Sequence, residues 1–448
     1  MSKTRSVDMT VGSPIKHLIS FTVPLFFGYM FQQVYNMTDS IIVGRFVSDK
    51  ALAATGACGS LNFLFVSLAM GLANGVGIIV SQYFGAGKHE EIKKTISNAF
   101  YVLFGAALLA TTVCVFVARP LLKFLSTPDS ILNDAALYLA TTSLGILFIA
   151  LYNMVAAILR ALGDSRTPLV FLIISAFLNV FMDLFFVLFL NLGVFGVAFA
   201  TVVSQLLSVI ISLTYAFKKV EYFKIDKSKM KPDRRIIGHI FRLGIPMALQ
   251  SSMISISLII LQKVVNTFGT TVMSAYTITS RIDNLISQLY ASLSMALTTY
   301  AGQNKGAGKN DRISLGLRSG FLIVFIYNLI VIPICFFLSP QISSAFVTSK
   351  EVISFSSTAM KITAVNYFFL AAIYVPRGLL NGCGDAAFSM INGITEVICR
   401  IVFANLFTRL AFLGVYGIWW AAGATWAVTS VVCLIRYLSG HWKKLGIR

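Results

Sequence analysis

Four carboxylates of this chain stand inside long apolar runs: Asp39, Asp183, Asp283 and Glu396. An ionisable group at the middle of a lipid-embedded helix costs at least about 2.5–3.5 kcal/mol, so each is expected to face a partner, an ion or a polar cavity. Asp39 ends a polar stripe, with Gln32 and Asn36 at helical spacing before it and Tyr35 beside them. Asp183 shares a helical face with Asn179 and Ser175, while Thr201 and Gln205 lie one turn apart in the next apolar run. Counted from the outer ends of their runs at about 1.5 Å per residue, these groups fall about 7–16 Å deep, near one level. Two carboxylates, an amide and a hydroxyl offer hard oxygen ligands for Na⁺, and a close carboxylate pair equally holds a proton. Asp39, Asn179, Asp183 and Thr201 are therefore the candidate cation-coupling residues.

Other chemistries find little support. Glu396 and Arg400 are one helical turn apart and read as an internal ion pair. Arg281 and Lys361 fall in apolar runs and are candidates for a polar, substrate-facing cavity, together with Gln32, Tyr35, Asn36 and Gln205. The four histidines sit at the edges of runs or in loops, which argues against zinc or a histidine relay. The six cysteines lack paired spacing and read as small core residues rather than disulfides or ligands. The sequence Gly85-Ala-Gly-Lys88 and its echo Gly306-Ala-Gly-Lys309 suggest a phosphate loop, yet His89 and Asn310 follow where a Walker loop needs Ser or Thr. They are expected to be turns between helices. No cofactor is expected, and any transport must draw on an ion gradient, H⁺ or Na⁺, or on the substrate's own gradient.

The elements that must hold these residues follow from composition. Of 448 residues, 57% are hydrophobic and 12% charged, against about 25% charged in soluble domains. The solvent for most of the chain must be lipid. Apolar runs give twelve expected spans, at roughly 18–44, 51–83, 95–118, 132–159, 169–190, 194–217, 237–262, 271–303, 313–338, 352–380, 386–408 and 414–438. Pro24, Pro246, Pro333 and Pro376 are the expected kinks. The first run is too long for a signal peptide and is read as a span. A net charge of +19 does not point to nucleic acid, because the basic residues occupy short loops. Lys3, Arg5, Lys16, Lys88, Lys93, Lys94, Arg160, Arg166, the 218–235 run (Lys227 and Lys229 included), Lys305, Lys309, Arg312, Lys443, Lys444 and Arg448 fall on one side. Fewer, Arg45, Lys50, Arg119, Lys123, Lys263, Lys350 and Arg409, fall on the other. The positive-inside rule then puts both termini in the cytoplasm.

The chain also repeats itself at a shift of 221. Gln82 to Lys88 returns as Gln303 to Lys309, Leu192 to Gly196 as Leu413 to Gly417, and Gly163-Asp164 as Gly384-Asp385. The expected organisation is a lobe at 1–217, a basic cytoplasmic linker at 218–236 and a second lobe at 237–448. Six spans per copy make the copies parallel, an arrangement found among secondary transporters. At a shift of 222, which also carries Pro24 to Pro246, Asp39 becomes Leu261, and at 221 Asn179, Asp183 and Thr201 become Arg400, Ala404 and Ala422, so the cation site is expected in the first lobe alone.

On these features the chain resembles the multidrug and toxic compound extrusion (MATE) transporters over its whole length. The resemblance rests on the paired Gly-Ala-Gly-Lys turns, on Leu159-Arg-Ala-Leu-Gly-Asp164 and on Leu178-Asn-Val-Phe-Met-Asp183. It implies an all-α integral membrane protein, twelve spans in two six-helix lobes enclosing a cleft that opens alternately to each side. It implies export of amphipathic, often cationic, drugs or metabolites in exchange for Na⁺ or H⁺. Asn179, Asp183, Asp39 and Thr201 resemble the DinF-like bacterial branch, and Tyr138 and Asn153 match the family pattern as further cavity residues. The resemblance further implies a bacterial plasma-membrane protein that is not an enzyme. It is expected to act as a monomer on small amphipathic substrates within the lipid bilayer, with no nucleic acid. A flippase for lipid-linked oligosaccharide, of the same superfamily, is the competing expectation, kept open by Lys361, Arg377 and Arg281.

Overall fold

The computed structural model describes residues 6–125, 127–225 and 230–446. Lys3, Arg5, Lys227, Lys229 and Arg448 of the orientation argument lie outside the described residues, as does Ser228. Among the described residues every regular segment is helical and no strand occurs. Lipid offers no hydrogen bonds to an open backbone, so helices satisfy the main chain from within.

The long helices are α1 (Pro14–Ile42), α2 (Asp49–Gly85), α3 (His89–Phe124), α4 (Asp129–Ser143), α5 (Ile146–Ala161), α6 (Arg166–Leu184) and α7 (Gly193–Lys219). They continue with α8 (Arg234–Asn266), α9 (Thr270–Gly306), α10 (Asn310–Phe337), the short α11 (Ser339–Ser344), α12 (Lys350–Val365), α13 (Tyr367–Gly382), α14 (Ala386–Phe407) and α15 (Gly417–Leu438). Single helices or bent pairs cover all twelve expected runs. Among the described residues eight helices are long and apolar enough to cross a membrane, and counting α4–α5 and α12–α13 as bent spans gives ten. α1 and α9, of 29 and 37 residues, have the length of a span as well.

The repeated motifs turn out to be helix ends. Gly87 and Gly308 adopt left-handed φ of 68° and 71°. In both turns the amide after the glycine closes a six-residue loop, Lys88 N to Tyr83 O and Lys309 N to Asn304 O, each 2.9 Å. Gly163 and Gly384 do the same with Asp164 and Asp385. These are Schellman caps, which need a residue free of a Cβ at the left-handed position. The glycines of Gly-Ala-Gly-Lys thus serve the turn, not a phosphate.

The helix breaks fall away from the expected proline kinks. Pro24, Pro246, Pro333 and Pro376 all lie within unbroken helices. The sharp bends, 41° and 45°, fall instead at Leu144–Gly145 and at Asn366. At the second, the Asn366 side chain donates to Ile362 O (2.8 Å) and takes over a carbonyl that the broken helix leaves open.

The chain forms two compact units. The first holds Pro24–Ala248 with Met1–Asp8, and the second holds Leu249–Arg448 with Met9–Val23, whereas the sequence-based divisions are 217 and 237. Within the first, α2 packs on α3, α4 and α5, and α7 on α4, α5 and α6. Within the second, α9 packs on α10, α12 and α13, and α15 on α12, α13 and α14. The same pairings recur at the same shift, so the repeat is spatial as well as sequential. In the first unit α2 and α8 meet through Gly71 and Gly75: a Cβ on Gly71 would stand 2.6 Å from Gly244 O and the Ala248 Cβ. Small residues permit this backbone approach, and van der Waals contact then substitutes for the missing hydrophobic drive between helices in lipid.

Candidate functional site

α1 and α6 carry the two acids of the first unit to one place. Asp39 stands in the last turn of α1, and Asp183 is one residue short of the end of α6. Both helices then widen into π-helical turns, Val43–Val47 and Phe185–Phe189, which pack against each other. Such turns cluster at functional sites. Among the described residues the second unit has none. Buried Val43, Ala51, Val187, Val194 and Val197 form an apolar cluster around them, with Tyr138 against it.

The carboxyl groups of Asp39 and Asp183 lie within hydrogen-bonding reach of each other. Tyr35 reaches the Thr201 side chain and lies close to both acids, and Tyr138 stands near both as well. Thr201 donates its own proton to Val197 O (3.1 Å), which leaves its oxygen to accept. Asp183 is fully buried and Asn179 is 1% exposed. The Asn179 amide donates to Ser204 Oγ (3.3 Å), and Ser204 in turn donates to Thr201 O (2.9 Å). Asn179 therefore keeps its oxygen free. Buried acceptor atoms without a donor are Asp39 Oδ1, both oxygens of Asp183, Asn179 Oδ1 and Gln205 Oε1. A buried acceptor left unsatisfied costs about 1–3 kcal/mol. The arrangement is rich in acceptors and short of donors.

Two of its parts escaped the sequence reading. Ser204 orients Asn179, and it could be found only as a small polar residue one turn from Thr201. Gly145 sits at the α4–α5 bend, where a Cβ would come 2.0 Å from Gln205 Oε1, so the bend and the Gln205 position depend on the missing side chain.

The MatE family profile matches residues 24–185 and again 246–406. The chain belongs to the MatE family. Its relatives include the probable multidrug resistance protein YpnP of Bacillus subtilis, 29% identical with 99% of each chain covered. The multidrug export protein MepA of Staphylococcus aureus is 20% identical over 91% of this chain and 90% of that one. Among solved structures, an outward-facing MATE transporter of the MOP superfamily superposes with a TM-score of 0.90 at 23% identity, covering 99% of this chain and 100% of that one. A MATE structure in the bent conformation reaches 0.92 at 22%, with 99% of each covered. At such identities these two likenesses establish the fold only. The protein is a multi-pass, all-helical membrane protein with a MatE repeat in each half.

The remaining sequence candidates of this MatE chain have varied surroundings. Asn153 donates to Ile149 O of its own helix (2.8 Å), and Gln32 and Asn36 are exposed on α1. Arg281 and Lys361 belong to the second unit: Arg281 is exposed, and Lys361 sits 5.5 Å over the Phe336 ring. Asp283 accepts a hydrogen bond from the Tyr367 hydroxyl at 2.6 Å. Glu396 and Arg400 form the expected ion pair at 2.7 Å, and both are buried.

Proposed function

We propose that this MatE protein is a secondary antiporter that exports amphipathic, often cationic, drugs or metabolites in exchange for H⁺ or Na⁺ by alternating access. The observation that carries the reading is the buried, donor-poor set of oxygens on Asp39, Asn179 and Asp183 beside Thr201. A proton or Na⁺ satisfies those oxygens, and its departure leaves like charges together, which makes the site responsive to ion gradients. Export of a monovalent cation against 100 mV costs about 2.3 kcal/mol, and exchange for one H⁺ or Na⁺ cancels that electrical term. The names of YpnP and MepA, relatives along nearly the whole chain, support drug export. The remaining parts of the reading are a DinF-like branch, a monomer in the bacterial plasma membrane, both termini cytoplasmic, no cofactor, no enzymatic step and no nucleic acid. The flippase alternative is not favoured by the relatives found. The test is efflux from proteoliposomes under separately imposed Na⁺ and pH gradients. Uphill export of rhodamine 6G that stops when one gradient is collapsed is expected. Export that ignores both gradients overturns the antiport reading.

A further inference from the structure

In the second unit, α10 carries one charge on an otherwise apolar exposed face. Arg318 is exposed, as are Leu315 before it and Leu322, Phe325 and Leu329 after it, at steps of three and four residues. An arginine within a lipid-embedded run is costly unless its head finds water or an anion. No carboxylate pairs with Arg318 among the described residues. In its unit Asp385 is held by Arg436 at 2.7 and 3.1 Å, Glu396 by Arg400 at 2.7 Å, and Asp283 by the Tyr367 hydroxyl at 2.6 Å. Asp311 lies two helical turns before Arg318 on α10, and Glu351 stands in the first turn of α12.

α10 has 28 residues, about 42 Å, so centred on a hydrocarbon core of about 30 Å it overhangs by about 6 Å at each end. Arg318, eight residues past Asn310, then starts about 6 Å inside the hydrocarbon. Helix side chains lean towards the N-terminus, which carries this guanidinium up to the headgroup level. One turn deeper the same face opens into a crevice between α10 and α13. It measures about 320 Å³ and is lined by Phe321, Leu322, Val324, Phe325, Phe368 and Ala371, all apolar. The Phe325 and Phe368 rings stand 6.1 Å apart, and Phe368 follows the 45° bend at Asn366 by two residues.

We infer that Arg318 and this crevice bind one anionic phospholipid, with its phosphodiester on the guanidinium and one acyl chain in the crevice. Charge and crevice follow each other along α10 in the order of headgroup and chain in a lipid leaflet. A guanidinium fork matches a phosphate through two parallel hydrogen bonds. The lipid's net charge matters, because a choline headgroup brings a second cation beside an unpaired arginine. A snorkelling arginine alone needs no crevice beneath it, and a crevice for passing hydrocarbon needs no charge above it. The site stands on the membrane fold and is independent of the antiport reading.

The test is native mass spectrometry of the full-length protein released from detergent micelles. Dioleoyl phosphatidylglycerol and dioleoyl phosphatidylcholine are titrated separately. One phosphatidylglycerol is expected to bind at least about fivefold more tightly, the scale of one basic residue against anionic lipid. Arg318→Gln should bring the two lipids level. Leu322→Trp, which fills the crevice mouth from an exposed position, should weaken both. Glycerol 3-phosphate, a headgroup without a chain, should not displace the lipid. Equal binding of the two lipids by the wild type, or a preference that survives Arg318→Gln, overturns the site. Displacement by glycerol 3-phosphate, or lipid binding that Leu322→Trp leaves unchanged, takes the acyl chain out of the crevice and overturns it too. Thermal unfolding verifies the fold of each variant. Should Leu322→Trp fail to fold, Arg318→Gln and the glycerol 3-phosphate competition decide.

Discussion

The coupling role proposed for Asp39 and Asp183 rests on their proximity. If the two share one cation or proton, either one alone is too few ligands. Asp39→Asn and Asp183→Asn are each expected to lower gradient-driven efflux per folded molecule at least about tenfold, and the double variant should be scarcely worse, as for residues acting as a unit. Additive losses in that efflux assay would show two separate sites. Glu396 gives a contrast. Its partner Arg400 is buried one turn away, so Glu396→Gln leaves an uncompensated charge, a change that costs about 3–5 kcal/mol in buried pairs. Membrane abundance and thermal stability should therefore fall more than coupled efflux per folded molecule. A stable Glu396→Gln protein that has lost all transport of rhodamine 6G would put the ion site in the wrong half.

The helices place these side chains through their irregularities. α1 and α6 widen into π turns directly after their acids, and the α4–α5 bend leaves room for Gln205 only because residue 145 is a glycine. Gly145→Ala drives a methyl into Gln205 Oε1, an overpacking that costs about 1–3 kcal/mol. Adding Gln205→Ala should restore most of the lost stability, since the clashing atoms leave with it. The check is a double-mutant cycle of thermal unfolding in detergent, and an additive result would break the proposed contact. At Asn366, the counterpart of Gly145 under the repeat, the bend is kept by a polar side chain. A neighbouring glycine makes the room there: a Cβ on Gly423 would stand 2.5 Å from Asn366 Oδ1. The two halves reach the same bend by opposite exchanges of size.

For the whole molecule, the proposed orientation rests on loop charge. A cysteine at Ser228 should be shielded from membrane-impermeant maleimides in intact cells, and one at Asp129 should be labelled. The reverse pattern would invert the topology and with it every depth counted from the outer surface.

Composition, apolar periodicity and the 221-residue repeat sufficed for the membrane class, the helices and their pairing by halves, because lipid permits few backbone solutions and because duplicated segments refold alike. The i, i+4 ion pair of Glu396 and Arg400 was legible for the same reason: both partners lie on one helix. Tertiary structure alone decided where the helices break. Proline spacing pointed to Pro376, yet the break between α12 and α13 lies at Asn366. It alone decided that Ser204 turns Asn179, that Gly145 admits Gln205, and that the Tyr367 hydroxyl reaches Asp283. Those contacts join residues on separate helices, and a one-dimensional pattern carries no information about which helix faces meet.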